Sequence, residues 1–272
     1  MRSTLQKEKE PYSVRLERKS YPSVWFVNET SIFRDNYPAK WNEELVRFLV
    51  EMFTDPDELV GDFMCGAGTA PIEARKLGRR GVGSDINSEA IKLARVRADK
   101  AMGNPGSFEV CDASNISYCV DGIFDLVLVS PPFGNSIDTK HDNYSELSGD
   151  IGNSKTMEQW AQRFKPCLAE FFRKTKPGRL CIIEIRPRRV NWESKPLWDW
   201  IYHGALDAGF RYFDMIVEIQ QPYSKFPQDM LAVDHRKSYP MHSFLMIFQR
   251  PEFATLGEGL TNRTFPFDSR VE

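Results

Sequence analysis

The chain alternates between short, uniformly apolar runs and longer segments in which apolar residues recur every three to four positions. Runs of the first kind read as strands buried on both faces, segments of the second kind as helices with one buried stripe. Glu43–Phe53 (EELVRFLVEMF) has helical spacing and stops at the turn DPDE. LVGDFMC follows as a strand running into the glycine-rich CGAG, then a helix with Pro71 near its start, where a missing N–H costs little. RGVGSDIN predicts a second strand ending on Asp85. SEAIKLARVRADKAM predicts a helix with Ser88 as N-cap and Ile91, Ala94 and Ala98 as its stripe. SFEVCDA, ending on Asp112, and FDLVLVS supply a third and a fourth strand, the latter buried on both faces over Leu126 to Val129. A long helix over Met157–Lys174 is closed by a KPG turn at 176–178. The buried strand LCIIEI, a helix over PLWDWIYHGALDAGF stopped at Gly209, and strands near 212–219 and 243–248 complete the series. Such alternation predicts a doubly wound, mostly parallel α/β sheet with helices on both faces, in one domain.

Composition narrows the class. With 272 residues, 41% of them hydrophobic, the chain can bury one large core. A formal net charge of −2 argues against avid nonspecific binding to nucleic acid and leaves room for a local basic groove. Five cysteines (Cys65, Cys111, Cys119, Cys167 and Cys181), an odd number with no C-x-x-C pair, predict neither a disulfide framework nor a zinc site. The charged N-terminus lacks the apolar core of a signal peptide and no apolar run reaches membrane-spanning length, so a cytoplasmic location without a membrane partner is expected.

In a doubly wound sheet, ligands bind beyond the carboxyl ends of the strands, beside the switch in strand order. Three features fall on that edge. DFMCGAGT places Gly66 and Gly68 between strand and helix, where backbone can pass close to a ligand. Its spacing departs from G-x-G-x-x-G, because Pro71 stands three residues after Gly68. Asp85 ends the next strand, where a carboxylate can accept both ribose hydroxyls. Asp112 ends the third, where it can accept from an adenine amine. The fourth strand stops at Ser130 in a rigid Ser-Pro-Pro-Phe turn.

DFMCGAGT, SDIN and SPPF, in that order on successive strands, resemble the amino-methyltransferases that use S-adenosylmethionine to methylate the exocyclic amine of cytosine or adenine in DNA. NYPAKWNEEL, ahead of the glycine loop, is similar to the family's segment that cups the methionine end of the cofactor, and KPG before LCIIEI matches its run into the later strands. The resemblance spans residues 37–248. It implies a Rossmann-like class I methyltransferase fold with seven strands, S-adenosyl-L-methionine as cofactor, S-adenosyl-L-homocysteine as product, double-stranded DNA as partner, and no metal. The cofactor residues it implies are Tyr37, Pro38 and Lys40; Asp62, Met64, Cys65, Gly66, Gly68 and Thr69; Asp85 and Ile86; and Asp112 and Ala113. An aromatic amine is a poor nucleophile until its hydrogens are engaged and its lone pair faces the methyl group. Ser130 Oγ and the Pro131 carbonyl can accept one N–H each, and with Pro132 the two rings fix φ and offer no competing donor. Phe133 would stack on a base rotated out of the duplex, a contact worth about 1–3 kcal/mol.

Ser in the first position resembles cytosine-N4 members, whereas Asp resembles adenine-N6 members. The chain departs from the family in lacking a separate target-recognition domain. Its implied organisation is an N-terminal arm or strap over 1–35, a catalytic domain over 36–250 with short target-recognition insertions near 134–156 and 220–241, and a tail over 251–272. Lys140, Lys225, Arg236 and Lys237 in the insertions are candidates for phosphates or base edges. Arg186, Arg188 and Arg189 follow LCIIEI and emerge at the catalytic edge, which makes them the better phosphate candidates. RKLGRR over 75–80 and Lys92, Arg95, Arg97 and Lys100 read instead as solvated helix faces. So small a reader points to a short recognition sequence, relaxed specificity or a second subunit, and admits a second copy of the chain or a cognate restriction enzyme as partner. The competing readings are adenine-N6 methylation, guanine-N2 methylation of tRNA, and a cofactor-binding regulatory subunit without activity.

Overall fold

A computed structural model describes residues 20–28, 41–132, 147–190, 193–221 and 242–252. In chain order the elements are β1 (Val24–Asn28), α1 (Glu43–Phe53), β2 (Leu59–Asp62), α2 (Thr69–Lys76), β3 (Arg80–Asp85), α3 (Ser88–Met102), β4 (Ser107–Val110) and β5 (Phe124–Val129). A short 3-10 turn (Ile151–Asn153), α4 (Met157–Lys174), β6 (Thr175–Ile185), β7 (Arg188–Val190), β8 (Glu193–Lys195), α5 (Leu197–Asp207), β9 (Arg211–Gln221) and β10 (His242–Gln249) follow. The main sheet has the order β1-β9-β10-β6-β5-β2-β3-β4, and β7 and β8 pair as a separate hairpin. Within the main sheet β10 runs antiparallel to both its neighbours, while the other pairs are parallel. This is the doubly wound α/β architecture of Rossmann-like methyltransferases. The chain leaves β2 toward β3 and β4, then returns to the other side of β2 as β5, so the switch in strand order opens between β2 and β5.

The apolar patterns sort the side chains as their periods require. β5 is buried along its whole length. Phe124, Val127 and Val129 join a core with α4 and α5, whereas Leu126 and Leu128 join one with α1. α1 buries Leu45, Val46, Leu49, Val50 and Phe53 along one stripe and is capped by Asn42, whose side chain accepts from the Leu45 N–H at 3.1 Å. At the amino ends of the central strands, Asp125 accepts from the Leu59 N–H at 2.9 Å and from Lys176 Nζ at 2.8 Å. This contact locks β2, β5 and β6 in register beneath the site.

Three details differ from the sequence reading. Val24–Asn28, inside the N-terminal arm, pairs with β9 as an eighth strand, with Trp25 stacked on Phe48 at 3.8 Å. Residues 176–178 do not close α4 as a turn, because β6 already begins at Thr175. Gly178 takes φ 79°, its N–H reaches the Arg250 carbonyl at 2.7 Å, and the register with β5 shifts, so the irregularity is absorbed as a bulge that tolerates Pro177. Asn87, not Ser88, caps α3, its side chain accepting from the Glu89 N–H at 2.9 Å.

Candidate active site

The glycine loop between β2 and α2 is shaped by left-handed backbone at Gly66 (φ 51°) and Gly68 (φ 80°). Its Cys65 N–H donates to the Ser84 carbonyl at 2.9 Å, tying the loop to β3. A Cβ at Gly68 would lie 2.9 Å from both Ala94 Cβ and Phe108 Cε1, so only glycine lets the loop sit this close to α3 and β4. No side-chain hydrogen bond caps α2 at its N-terminus, Gly68. Thr69 begins that helix and is buried. Arg97 donates to the Ala67 carbonyl at 2.5 Å and to Thr69 Oγ1 at 3.3 Å, so this cation braces the loop and is not the solvated residue its helical position suggested. Arg95 is likewise engaged, donating to the Phe108 carbonyl at 2.5 Å.

Acidic side chains line the strand ends beside the loop. Asp85 accepts from the Gly66 N–H at 2.8 Å through one oxygen and from the Asn87 N–H at 2.9 Å through the other. Burial pushes its pKa up to about 6 against those two N–H groups, and the nearby Asp150 adds to the rise. Each Asp85 oxygen retains acceptor capacity for a hydroxyl. Asp112 is exposed after β4, its carboxylate accepting from the Ser114 N–H at 2.8 Å, and Ala113 beside it is buried. Asp62 is fully buried at the end of β2. One of its oxygens accepts from the Met64 N–H at 3.0 Å, while Oδ2 has no partner among the described residues. Burial holds the Asp62 pKa well above the usual carboxylate range. The neighbouring Trp41 indole partly offsets that rise without closing a hydrogen bond of normal geometry, so Trp41 Nε1 is also unpartnered among the described residues. Met64 and Ile86 are half-buried. Cys65 is buried, and burial raises its thiol pKa far enough to make it a packing group.

Across the switch from the glycine loop, β5 delivers Ser130 (half-buried), Pro131 (buried) and Pro132 (half-buried). The indole N–H of Trp160, on α4, donates to the Pro132 carbonyl at 2.6 Å. Arg163 on the same helix holds the carbonyls of Ser148 and Asp150 at 3.2 and 3.3 Å. Glu170 accepts from the Ile116 N–H at 2.9 Å, in the loop that carries Asp112. One helix therefore registers three loops of the site. The described part of the first insertion folds back over the acids: a Cβ at Gly149 would lie 2.9 Å from Ile86 Cδ1 and 3.8 Å from Asp112 Oδ2.

Tyr37, Pro38, Lys40, Phe133, Lys140, Lys225, Arg236 and Lys237 lie outside the described residues. Arg186, just past β6, donates to Ser243 Oγ at 3.0 Å. Arg188 and Arg189 fall in β7, register-paired with Lys195 and Ser194. Trp41 lies in the segment read as cupping the methionine end of the cofactor, and Gly149 and Asp150 in the insertion read as target recognition, but none of the three was singled out. Trp160 was not noted either, although two consecutive prolines lack N–H groups and their turn needs a donor from elsewhere.

Among the described residues no group of three or more His, Cys, Asp or Glu side chains could hold a metal ion, and no helix is long and apolar enough to cross a membrane. A family model described as DNA methylase matches residues 2–96, and one described as methyltransferase domain matches residues 55–210, more than half of the chain. No curated protein matches it. An S-adenosylmethionine-dependent methyltransferase from Methanosarcina mazei is 19% identical, with 75% of this chain and 97% of that one covered at a TM-score of 0.50. A chain of the Haloferax volcanii complex between the Trm112 methyltransferase activator and a methyltransferase is 16% identical, with coverage of 75% and 88% and a TM-score of 0.51. The cyclase SpnF is 16% identical, with coverage of 80% and 86% and a TM-score of 0.51. At such identities the likeness is one of fold alone. The match over 55–210 is one of family: the chain belongs to the methyltransferase-domain family, and its methyl donor is S-adenosylmethionine.

Proposed function

We propose that the chain transfers a methyl group to the exocyclic amine of a base in DNA, cytosine N4 ahead of adenine N6. The cofactor supplies a methyl group made electrophilic by a sulfonium. The residues at the carboxyl edge fit that group. Asp62 Oδ2 and Trp41 Nε1, an unpartnered acceptor beside an unpartnered donor, suit the ammonium and carboxylate of its amino-acid end. Asp85 offers acceptors to the ribose, and Ile86, Asp112 and Ala113 frame the adenine. Gly66, Gly68, Met64, Cys65 and Thr69 shape the wall between them.

The observation that carries the reading is the Ser130-Pro131-Pro132 turn at the end of β5, across the switch from the glycine loop. Ser130 Oγ accepts one amine N–H and the Pro131 carbonyl the other, which leaves the nitrogen lone pair directed at the methyl group. Phe133 follows this turn in the chain and is the proposed stacking face for the base. The match of residues 2–96 to a DNA methylase model supports DNA as the polymer, and Ser in the first position supports cytosine.

The test is incubation with unmethylated DNA and S-adenosylmethionine, followed by mass spectrometry of the digested nucleosides. N4-methylcytosine is the expected product. N6-methyladenine would retain the role of the turn and overturn the base assignment, and unmodified DNA with a methylated guanine in the same assay run on tRNA would overturn DNA as substrate. Ser130→Ala is expected to lower the product yield about 100-fold or more while cofactor binding persists.

A further inference from the structure

We propose that Trp160 is a positioning residue for methyl transfer: its indole N–H holds the Pro132 carbonyl and thereby fixes the two amine acceptors at Ser130 and Pro131. The inference rests on the role of the turn given above. Its starting point is a deficit of donors. Pro131 and Pro132 have no N–H, so neither can be tied to a neighbouring strand in the ordinary way. The rings fix φ at both residues, and Pro132 confines ψ of Pro131 to the extended range without fixing it within that range, which is where the direction of the Pro131 carbonyl oxygen is decided. A hydrogen bond from outside the turn can narrow that range only through a carbonyl.

Trp160 supplies the missing donor. Its Nε1–H lies 2.6 Å from the Pro132 oxygen, a contact made across 28 residues of chain. The indole is fully buried, which holds its N–H in place, and its ring stacks on Phe164 at 4.9 Å with planes 21° apart. It sits in the same core as Val129, the last residue of β5, and as Met157 and Ile151. Its helix is itself anchored to the cofactor loops through Arg163 and Glu170. The indole thus transmits one registration to both halves of the site, and a carbonyl pinned at Pro132 constrains the peptide that joins it to Pro131. A displacement of about 1 Å at an acceptor can cost on the order of 100-fold in rate.

The test replaces Trp160 in two ways. Trp160→Phe keeps an aromatic ring on Phe164 and removes the N–H; substitution by benzothienylalanine keeps the shape and volume of the indole and removes only the N–H. Phe164→Leu loosens the same stack but leaves the donor in place. Turnover, KM for the nucleic acid, calorimetric affinity for S-adenosylmethionine and thermal midpoint are measured on all three. Both N–H-less forms are expected to lose about 10- to 100-fold in kcat, with cofactor affinity within about twofold of wild type; Phe164→Leu should lose stability with little change in kcat. A benzothienylalanine protein with wild-type kcat overturns the proposal. So does a parallel loss of kcat, cofactor affinity and thermal midpoint in both forms, which marks Trp160 as mere packing. A wild-type chain that methylates neither DNA nor RNA overturns the function reading itself, and this proposal with it, so the two failures are told apart by the wild-type assay.

Discussion

Asp85 is held between a dry environment that favours its neutral form and two backbone N–H groups that favour its anion, and the balance leaves its pKa raised to about 6. A hydroxyl donated by a ligand is held more strongly by the anion than by the neutral acid. Affinity for S-adenosylmethionine is therefore expected to climb as pH rises from about 5 to 7, with its midpoint near the raised value. The effect on folding has the opposite sign. Between the ordinary carboxylate value of 3.8 and 6, the native chain holds a proton that the unfolded chain releases. Stability from this group is thus fully present below that window and lost as pH rises through it. Calorimetric titrations across that range check the first effect. Asp85→Asn should flatten the profile and weaken binding near neutral pH by about 10- to 100-fold, as expected for hydrogen bonds to a charged acceptor worth about 1.5–3 kcal/mol. A wild-type affinity that does not change with pH would remove Asp85 from the ribose. The positions of Asp85, Asp112 and Ser130 were legible because each ends or closely follows a strand, and the end of a parallel strand is where such a sheet places its ligands. Trp41 was legible only as part of NYPAKWNEEL, and Trp160 was not singled out, because what distinguishes them is a neighbour: the unpartnered Oδ2 of Asp62, and a proline carbonyl 28 residues away.

At the scale of elements, the glycine loop is only as well placed as the helix that follows it. α2 packs on β3 through Gly81, where an added Cβ would lie 2.1 Å from the Pro71 carbonyl oxygen. That neighbour is backbone and cannot rotate aside, so Gly81→Ala must lift α2 from the sheet. Overpacking of this kind costs about 1–3 kcal/mol, measurable as a shift in the denaturant midpoint. The Gly66–Gly68 backbone moves with the helix, so cofactor affinity should fall in the same variant. Unchanged stability and affinity would mean that the β3–α2 contact does not set the loop. Long, strongly periodic segments such as α1, α4 and β5 could be read from the sequence, since their burial patterns follow from period alone. β1 could not, because VWFV gains its place only by pairing with β9, nearly two hundred residues away, and by stacking Trp25 on Phe48. The KPG segment misled for the reverse reason: Pro and Gly mark a turn locally, yet bonding to Arg250 and pairing to β5 keep it in the strand.

Over the whole molecule, charge is divided in a way the net value of −2 conceals. Asp62 and Asp85, which burial holds toward their neutral forms, and Asp112 and Asp150 lie at or beyond the carboxyl ends of the strands, at the proposed cofactor site. Arg186 and β7, with Arg188 and Arg189, follow the carboxyl end of β6 along the chain. A chain with so little net charge exerts no long-range pull on a polyanion, so the proposed binding of DNA would rest on a few local cations. Each phosphate neutralised contributes about −0.9 to the slope of log K against log salt, which for three arginines gives a slope of about −3. The double variant Arg188→Ala, Arg189→Ala is expected to reduce that slope by about 2 and to weaken binding alike for every DNA sequence, because phosphates carry no sequence information. Its cofactor affinity should stay at the wild-type value. Fluorescence anisotropy over a salt series reads the slope directly. A double variant with the wild-type slope would remove the hairpin from the interface, whereas one that keeps its slope and changes its sequence preference would make the arginines readers of bases. A wild-type slope twice as steep as expected would place further phosphate contacts elsewhere on the same edge.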